Sequence, residues 1–132
     1  MAVIDELQPI GLLSKEGHYE DCIPKLQELW DKCPRPLEQD GNTFLILLYI
    51  TRILLRLERF EEALDWSLKG IRYNGTRNLG GESEMLIGKC AYAAGRMELA
   101  RDMFCVARSK GGKRIFAEEP KEYYELTSDK AA

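Results

Sequence analysis

One short break recurs three times along the sequence. Each copy contains a turn residue, a polar residue, a large apolar residue, an acid and, after one further residue, a small residue. The copies are Gly17-His18-Tyr19-Glu20-Asp21-Cys22, Glu58-Arg59-Phe60-Glu61-Glu62-Ala63 and Gly95-Arg96-Met97-Glu98-Leu99-Ala100. The large apolar residues are 41 and 37 residues apart. Such a period is typical of stacked helical hairpins, because one hairpin cannot bury its own apolar face.

The sequence on both sides of each break has helical periodicity. We predict helix hairpins over residues 5–32, 43–73 and 83–109, and a short capping helix over 120–126 that begins at Pro120. The first helix begins either at Val3 or near Gln8, because Pro9 fits only the first turn of a helix. No segment alternates as a half-buried strand does. The sequence therefore predicts a single all-α domain over residues 1–132.

The helix predicted over residues 43–57 is apolar around most of its circumference, so we expect it in the middle of the stack. Prolines and glycines predict loops over residues 32–41 and 74–81. The aromatic residues Phe116, Tyr123 and Tyr124 should let the capping helix cover the exposed side of the third hairpin, as terminal repeats require.

Composition argues against several classes of protein. A net charge of -3 and a pI near 5.3 disfavour nucleic-acid binding, which depends on a basic surface. The N-terminus lacks the basic region of a secretion signal. The longest apolar run, Phe44 to Ile50, is too short to cross a bilayer. We therefore predict a cytoplasmic protein that binds neither membranes nor nucleic acid.

The sequence offers little for catalysis. The four cysteines have neither the C-x-x-C spacing nor the histidine partners of a zinc site, so we expect buried thiols and no metal. The single histidine, His18, precedes Cys22 by one helical turn, but a loop histidine beside a buried thiol explains this spacing far better than a nucleophile pair does. The glycine pairs lack the context of a phosphate-binding loop. We predict no enzyme activity, no catalytic residue and no cofactor.

The repeated break resembles the tetratricopeptide repeat. The segment RLERFEEALDWSLKGI is similar to that family's loop and second helix. The pair Ile87-Gly88 is similar to the leucine-glycine pair in the family's first helix, and Ala100 and Ala107 occupy its two small-residue positions. The likeness covers about four fifths of the chain. It implies a small three-repeat protein of bacterial type, folded as a right-handed superhelix whose concave face, lined by the first helix of each pair, binds a protein or peptide. The family's period is 34 residues, so both loops between repeats here are longer.

The resemblance also implies which residues face the groove. The predicted partner-binding residues are Leu45, Leu48, Tyr49, Arg52, Leu55, Arg56, Met85, Lys89 and Tyr92. Further positions on the same faces are Glu82, Leu86 and Ala93, with Ile4, Leu7, Gln8, Gly11 and Lys15 from the first repeat. Arg52 and Arg56 lie one turn apart on one helix face and can hold carboxylates, so the partner should be acidic and partly apolar. Alternatively, both arginines pair with Glu58, Glu61 or Glu62.

Leu7 and Gly11 stand where chaperone-tail binders of the family have lysine and asparagine, which argues against a carboxylate clamp of that kind. We expect a non-enzymatic interaction module that acts as an adaptor, a chaperone for a secreted protein or an immunity protein that blocks a toxin. The stretch from Gly112 to Leu126 resembles an ending of small bacterial tetratricopeptide proteins, some of which accompany toxins. The alternative is a self-associating subunit, a homodimer without a separate ligand.

Overall fold

The computed structural model describes residues 3–33, 42–70 and 81–129. This part of the chain is helical and contains no strand, which confirms the predicted all-α class. The helices are α1 (Val3–Lys15), α2 (Tyr19–Lys32), α3 (Asn42–Arg56), α4 (Phe60–Leu68), α5 (Glu82–Ala93), α6 (Met97–Gly111), a 3₁₀ turn (Lys113–Phe116) and α7 (Lys121–Asp129).

The helices pack in chain order. Each of α1 to α5 contacts the next helix, and α6 contacts both the 3₁₀ turn and α7. The first helices of successive pairs also touch, α1 against α3 and α3 against α5. As a result, α1, α3 and α5 lie side by side along one surface of the molecule.

The turns inside the three pairs have the same backbone geometry. Their central residues have positive φ, 84° at Gly17, 61° at Glu58 and 80° at Gly95. In each turn the amide of the central residue donates to the carbonyl three residues earlier, and the next amide donates to the carbonyl five residues before it, at 2.8 to 3.1 Å. The acceptors are Ser14 and Leu13, Leu55 and Leu54, and Tyr92 and Ala91. This bonding is the Schellman motif, which satisfies the last carbonyls of a helix.

Small side chains lie where neighbouring helices approach each other. Cys22, Ala63 and Ala100, the small residues of the three breaks, are completely buried. In α5 a Cβ atom placed on Gly88 would lie 2.5 Å from Cε1 of Phe104 in α6. A larger side chain at that position would therefore force α5 and α6 apart.

Helix α3 lies in the interior, as its composition predicts. It contacts α1, α2, α4 and α5. Six of its large apolar side chains are buried: Phe44, Ile46, Leu47, Ile50, Ile53 and Leu54. Within the described ranges, no helix combines the length and the apolar character that a bilayer crossing requires.

Aromatic side chains attach the C-terminal segment to the third pair, as predicted. Tyr123 stacks on Phe104 at 4.6 Å between ring centroids and meets Tyr92 edge-on at 5.1 Å. Phe116 is buried and contacts the rings of Phe104 and Tyr124. The segment therefore covers apolar surface that α5 and α6 would otherwise expose to water.

Three helix ends differ from the prediction. Helix α4 ends at Leu68 and a 3₁₀ turn continues to Gly70, whose carbonyl accepts a hydrogen bond from the Ser83 hydroxyl at 3.0 Å. Helix α6 runs on to Gly111 and stops at Gly112, where φ is 73°. Helix α7 begins after Pro120 and extends to Asp129. The predicted helical residues 71–73 and most of the two predicted loops lie outside the described residues.

Candidate partner-binding groove

The surface formed by α1, α3 and α5 carries three adjoining cavities, which together we call the groove. Two lie between α1 and α3, and the third lies between α3 and α5. Arg52 lines all three and therefore lies at the centre of the groove. The predicted residues that line it are Leu45, Leu48, Tyr49, Arg52, Leu55, Arg56, Met85 and Lys89.

The half of the groove between α1 and α3 is cationic. Lys15, Arg52 and Arg56 line it, together with the hydroxyl groups of Ser14 and Tyr19, and no acidic residue is among the lining residues of these two cavities. All three cations are exposed. This half therefore attracts anions, although the chain as a whole has a net charge of -3.

The two arginines of α3 differ in their surroundings. Arg52 forms no hydrogen bond or ion pair with any residue in the described part of the chain. Arg56 donates from Nε to the Tyr19 hydroxyl at 3.1 Å, and its guanidinium carbon lies 5.4 Å from the centre of the Tyr19 ring. Tyr19 thus holds Arg56 at the rim of the groove, a role that could not be predicted from its place as the large apolar residue of the first break.

Two of the acids expected to neutralise these arginines are engaged elsewhere. Glu61 accepts from Arg96 at 2.8 Å, and Glu62 accepts from Arg59 at 2.6 Å. Glu61 and Glu62 are therefore not the partners of Arg52 and Arg56 that the alternative interpretation required.

The half between α3 and α5 contains its own counter-ion. Lys89 lies 3.2 Å from a carboxylate oxygen of Glu119, and both side chains are more than two thirds buried. Ile115 lines the same cavity as Leu45 and Leu48. Met85 also lines it, but only 6 % of this residue is exposed. The segment after α6 thus supplies an apolar side chain and an acid to this half of the groove.

The other predicted residues have less access to a partner. Tyr92 packs its ring against Tyr123. Leu7 is buried, Gln8 is exposed, and Gly11 lines the groove. Glu82 and Leu86 line the cavity between α3 and α5, and Ala93 is half-buried. The side chain of Ile4 lies outside the described part of the structure.

The environment of the thiols opposes nucleophilic chemistry. Cys22 donates to the backbone carbonyls of Ile10 and His18 at 3.5 and 3.3 Å, and burial, helped by Asp21, raises the pKa of its thiol. Burial also raises the pKa of Cys90 to about 11. A raised pKa keeps a thiol protonated and therefore unreactive. Within the described residues, no group of three or more histidine, cysteine or acidic side chains is arranged to hold a metal ion.

A scan against protein-family models, a search of curated proteins and a search of solved structures each found no match to this chain. Any assignment of function therefore depends on the groove itself.

Proposed function

We propose that this chain is a cytoplasmic, non-enzymatic protein-binding module of the tetratricopeptide type, and that the groove across α1, α3 and α5 holds an acidic, partly apolar segment of another protein. The observation that carries the proposal is the position of Arg52. It is an exposed guanidinium at the centre of the groove, without a hydrogen-bond or ion-pair partner in the described residues, and aliphatic and aromatic side chains surround it.

Physical chemistry favours a carboxylate as the natural ligand for this arrangement. A guanidinium presents a planar fork of donors that matches a carboxylate in a bidentate geometry. Leu45, Leu48 and Leu55 are half-buried along the same helix and offer apolar area for a partner to cover. Binding energy would then come from apolar contact, while the cations would set orientation and association rate.

Three features support an array of repeats. The hairpin turns share one backbone geometry, the small residues of the breaks are fully buried, and the first helices lie next to one another. Adaptor, secretion chaperone and toxin-neutralising immunity protein are the roles that we propose for such a surface, and each acts by binding another protein.

The homodimer has less support. Most of the large apolar side chains of α3, which motivated it, are covered by the chain's own helices. The exposed large apolar residues of the described part are spread over three helices, α1, α4 and α6: Leu12, Leu68, Met97 and Val106.

The test is capture from the native host after chemical cross-linking, identification of the captured protein by mass spectrometry, and titration of that purified protein by calorimetry. The variant is Arg52→Glu with Arg56→Glu. We expect it to keep the helical circular dichroism signal and the melting temperature and to lose at least about tenfold in affinity, since each lost charged contact costs about 1.5–3 kcal/mol.

The control is Arg114→Glu with Lys121→Glu, which makes the same change in net charge at exposed positions outside the groove. This control should bind as the wild type does. Equal loss in both variants would mean that only net charge matters. A stable dimer in light scattering, with no captured partner, would favour the homodimer instead.

A further inference from the structure

The two halves of the groove differ in one respect, the presence of an acid. Between α3 and α5, Glu119 lies on Lys89, with Ile115 beside it. Between α1 and α3, Lys15, Arg52 and Arg56 line the cavities, and no acid is among the lining residues. The chain therefore partly fills one half, which we call the filled half, with two side chains of its own C-terminal segment and places none in the other, the unfilled half.

The filled half shows which chemistry this surface accepts. Ile115 and Glu119 are four residues apart, and the backbone between them is coiled, since Ala117 donates to the Arg114 carbonyl and Glu119 to the Phe116 carbonyl at 3.1 and 3.0 Å. Both side chains line the cavity between α3 and α5. An aliphatic group and a carboxylate, four residues apart, thus enter the groove together.

The unfilled half has the complementary spacing. Arg52 and Arg56 are also four residues apart, so their backbone positions are separated by about 6 Å along α3. Tyr49 and Leu55 provide the half-buried apolar surface beside them. Two carboxylates four residues apart on a partner helix would have the same backbone separation as the two arginines.

Resting on the proposed function, we infer that the partner segment is an acidic amphipathic helix with carboxylates four residues apart, and that it occupies only the half between α1 and α3. In the intact protein, the side chains of Glu119 and Ile115 prevent this helix from reaching Lys89. The groove therefore takes a short segment, and the C-terminal segment sets where its binding surface ends.

The test uses the full chain and a synthetic helical peptide of alanine, leucine and glutamate in which glutamates recur every four residues. Its binding is mapped by nitrogen-15 NMR, including the arginine Nε resonances. We expect shifts at Lys15, Arg52 and Arg56 and none at Lys89. A matched peptide with glutamine in place of glutamate should bind at least about tenfold more weakly, because it lacks the charges that the arginines recognise.

A second variant tests the boundary. Ile115→Ala with Glu119→Ala removes both side chains that the C-terminal segment places beside Lys89, so the peptide shifts should now extend to Lys89 and Met85, while circular dichroism and melting confirm that the fold is retained. Unchanged shifts in this variant would contradict the inference. Three other results would also contradict it: shifts at Lys89 when the wild type binds the peptide, equal binding of the glutamine peptide, or binding of a phosphoserine peptide when the glutamate peptide does not bind.

The two proposals fail separately. If the natural partner, once captured, depends on Arg52 but the glutamate helix does not bind, the protein-binding function stands and the acidic helix is wrong. If the natural partner is unaffected by Arg52→Glu with Arg56→Glu, the groove itself is wrong.

Discussion

The guanidinium of Arg96 lies 2.8 Å from the carboxylate of Glu61 in the preceding helix pair. One pair earlier, Arg59 makes the equivalent contact with Glu20 at 2.9 Å. Both arginines directly follow the turn residue of a break. Both acids are the second residue of the helix that follows a break. The hydrogen bonds that Arg59 donates to Glu62 are the largest cause of its raised pKa, and Glu20 adds to it. The contact with Glu61 raises the pKa of Arg96 in the same way. The repeat in sequence is therefore also a repeat in contacts between pairs.

These exposed contacts should set the register of the pairs without adding much stability. More than half of each side chain in the Arg96–Glu61 pair is exposed, so water and salt screen it. In a double-mutant cycle with Arg96→Ala and Glu61→Ala, we expect a small favourable coupling in urea unfolding. It should vanish near 1 M salt, where the screening length is about 3 Å. A coupling that does not change with salt would show that the pair acts as a buried one.

The turn at Glu58 is the strained member of the three. Its φ of 61° lies in the left-handed region, where a side chain costs about 1–2 kcal/mol and glycine costs little. Glycine also gains freedom in the unfolded chain, which offsets part of this. We therefore expect Glu58→Gly to raise the free energy of unfolding by about 0.5–1 kcal/mol, measured by urea denaturation.

The reciprocal change provides the control. Gly95 has the same turn geometry with a φ of 80°, and a Cβ atom there would meet nothing within 4 Å. Gly95→Glu should therefore destabilise the protein by about 0.5–1 kcal/mol, because the backbone strain exceeds the stabilisation that comes from restricting the unfolded chain. If both changes shift stability in the same direction, left-handed strain is not the cause.

Local features of the fold could be predicted from the sequence, whereas the contribution of the C-terminal segment to the groove could not. Turn residues, helical periodicity and the small residues Cys22, Ala63 and Ala100 are local signals, and the structure confirms the helices and the burial that they predict. The contact between Glu119 and Lys89 joins residues thirty positions apart. No local pattern specifies where such a segment docks.

The same limit applies to Tyr92 and Met85. The resemblance implies that both face the groove, but the ring of Tyr123 packs against Tyr92, and Met85, although it lines the cavity between α3 and α5, is buried. Lys15, for which the resemblance implies the same, lines the groove with Arg52. The position of Tyr19 beside Arg56 depends on how α2 meets α3, which only the tertiary structure shows.

The contact between Gly88 and Phe104 predicts a large effect from a single methyl group. Gly88→Ala would place Cβ 2.5 Å from the fully buried Phe104 ring, so the ring or the helices must move. We expect a loss of about 1–3 kcal/mol in the free energy of unfolding through overpacking. Gly11→Ala is the matched control: nothing lies within 4 Å of its Cβ position, and the better helix propensity should add up to about 1 kcal/mol. Equal effects at both sites would rule out the steric cause.

Burial of Cys90 predicts how stability falls at alkaline pH. Its pKa is raised from 9.0 to about 11, chiefly by burial, with smaller opposing contributions from Ser67 and Lys89. Between these values the unfolded chain loses the thiol proton while the folded chain keeps it, so the free energy of unfolding must fall as pH rises. At about 1.4 kcal/mol per pH unit, the loss by pH 11 reaches up to about 3 kcal/mol.

Cys90→Ala removes this contribution, so its free energy of unfolding, measured in urea, should fall less steeply between pH 9 and 11. Cys22 titrates in both proteins and cancels in the comparison. Because Cys90 contributes to the raised pKa of Tyr123, both proteins carry Tyr123→Phe. Parallel pH profiles would contradict the burial of the thiol. So would labelling of Cys90 as fast as that of the half-exposed Cys105, because only a thiol that reaches water can ionise and react at its ordinary pKa.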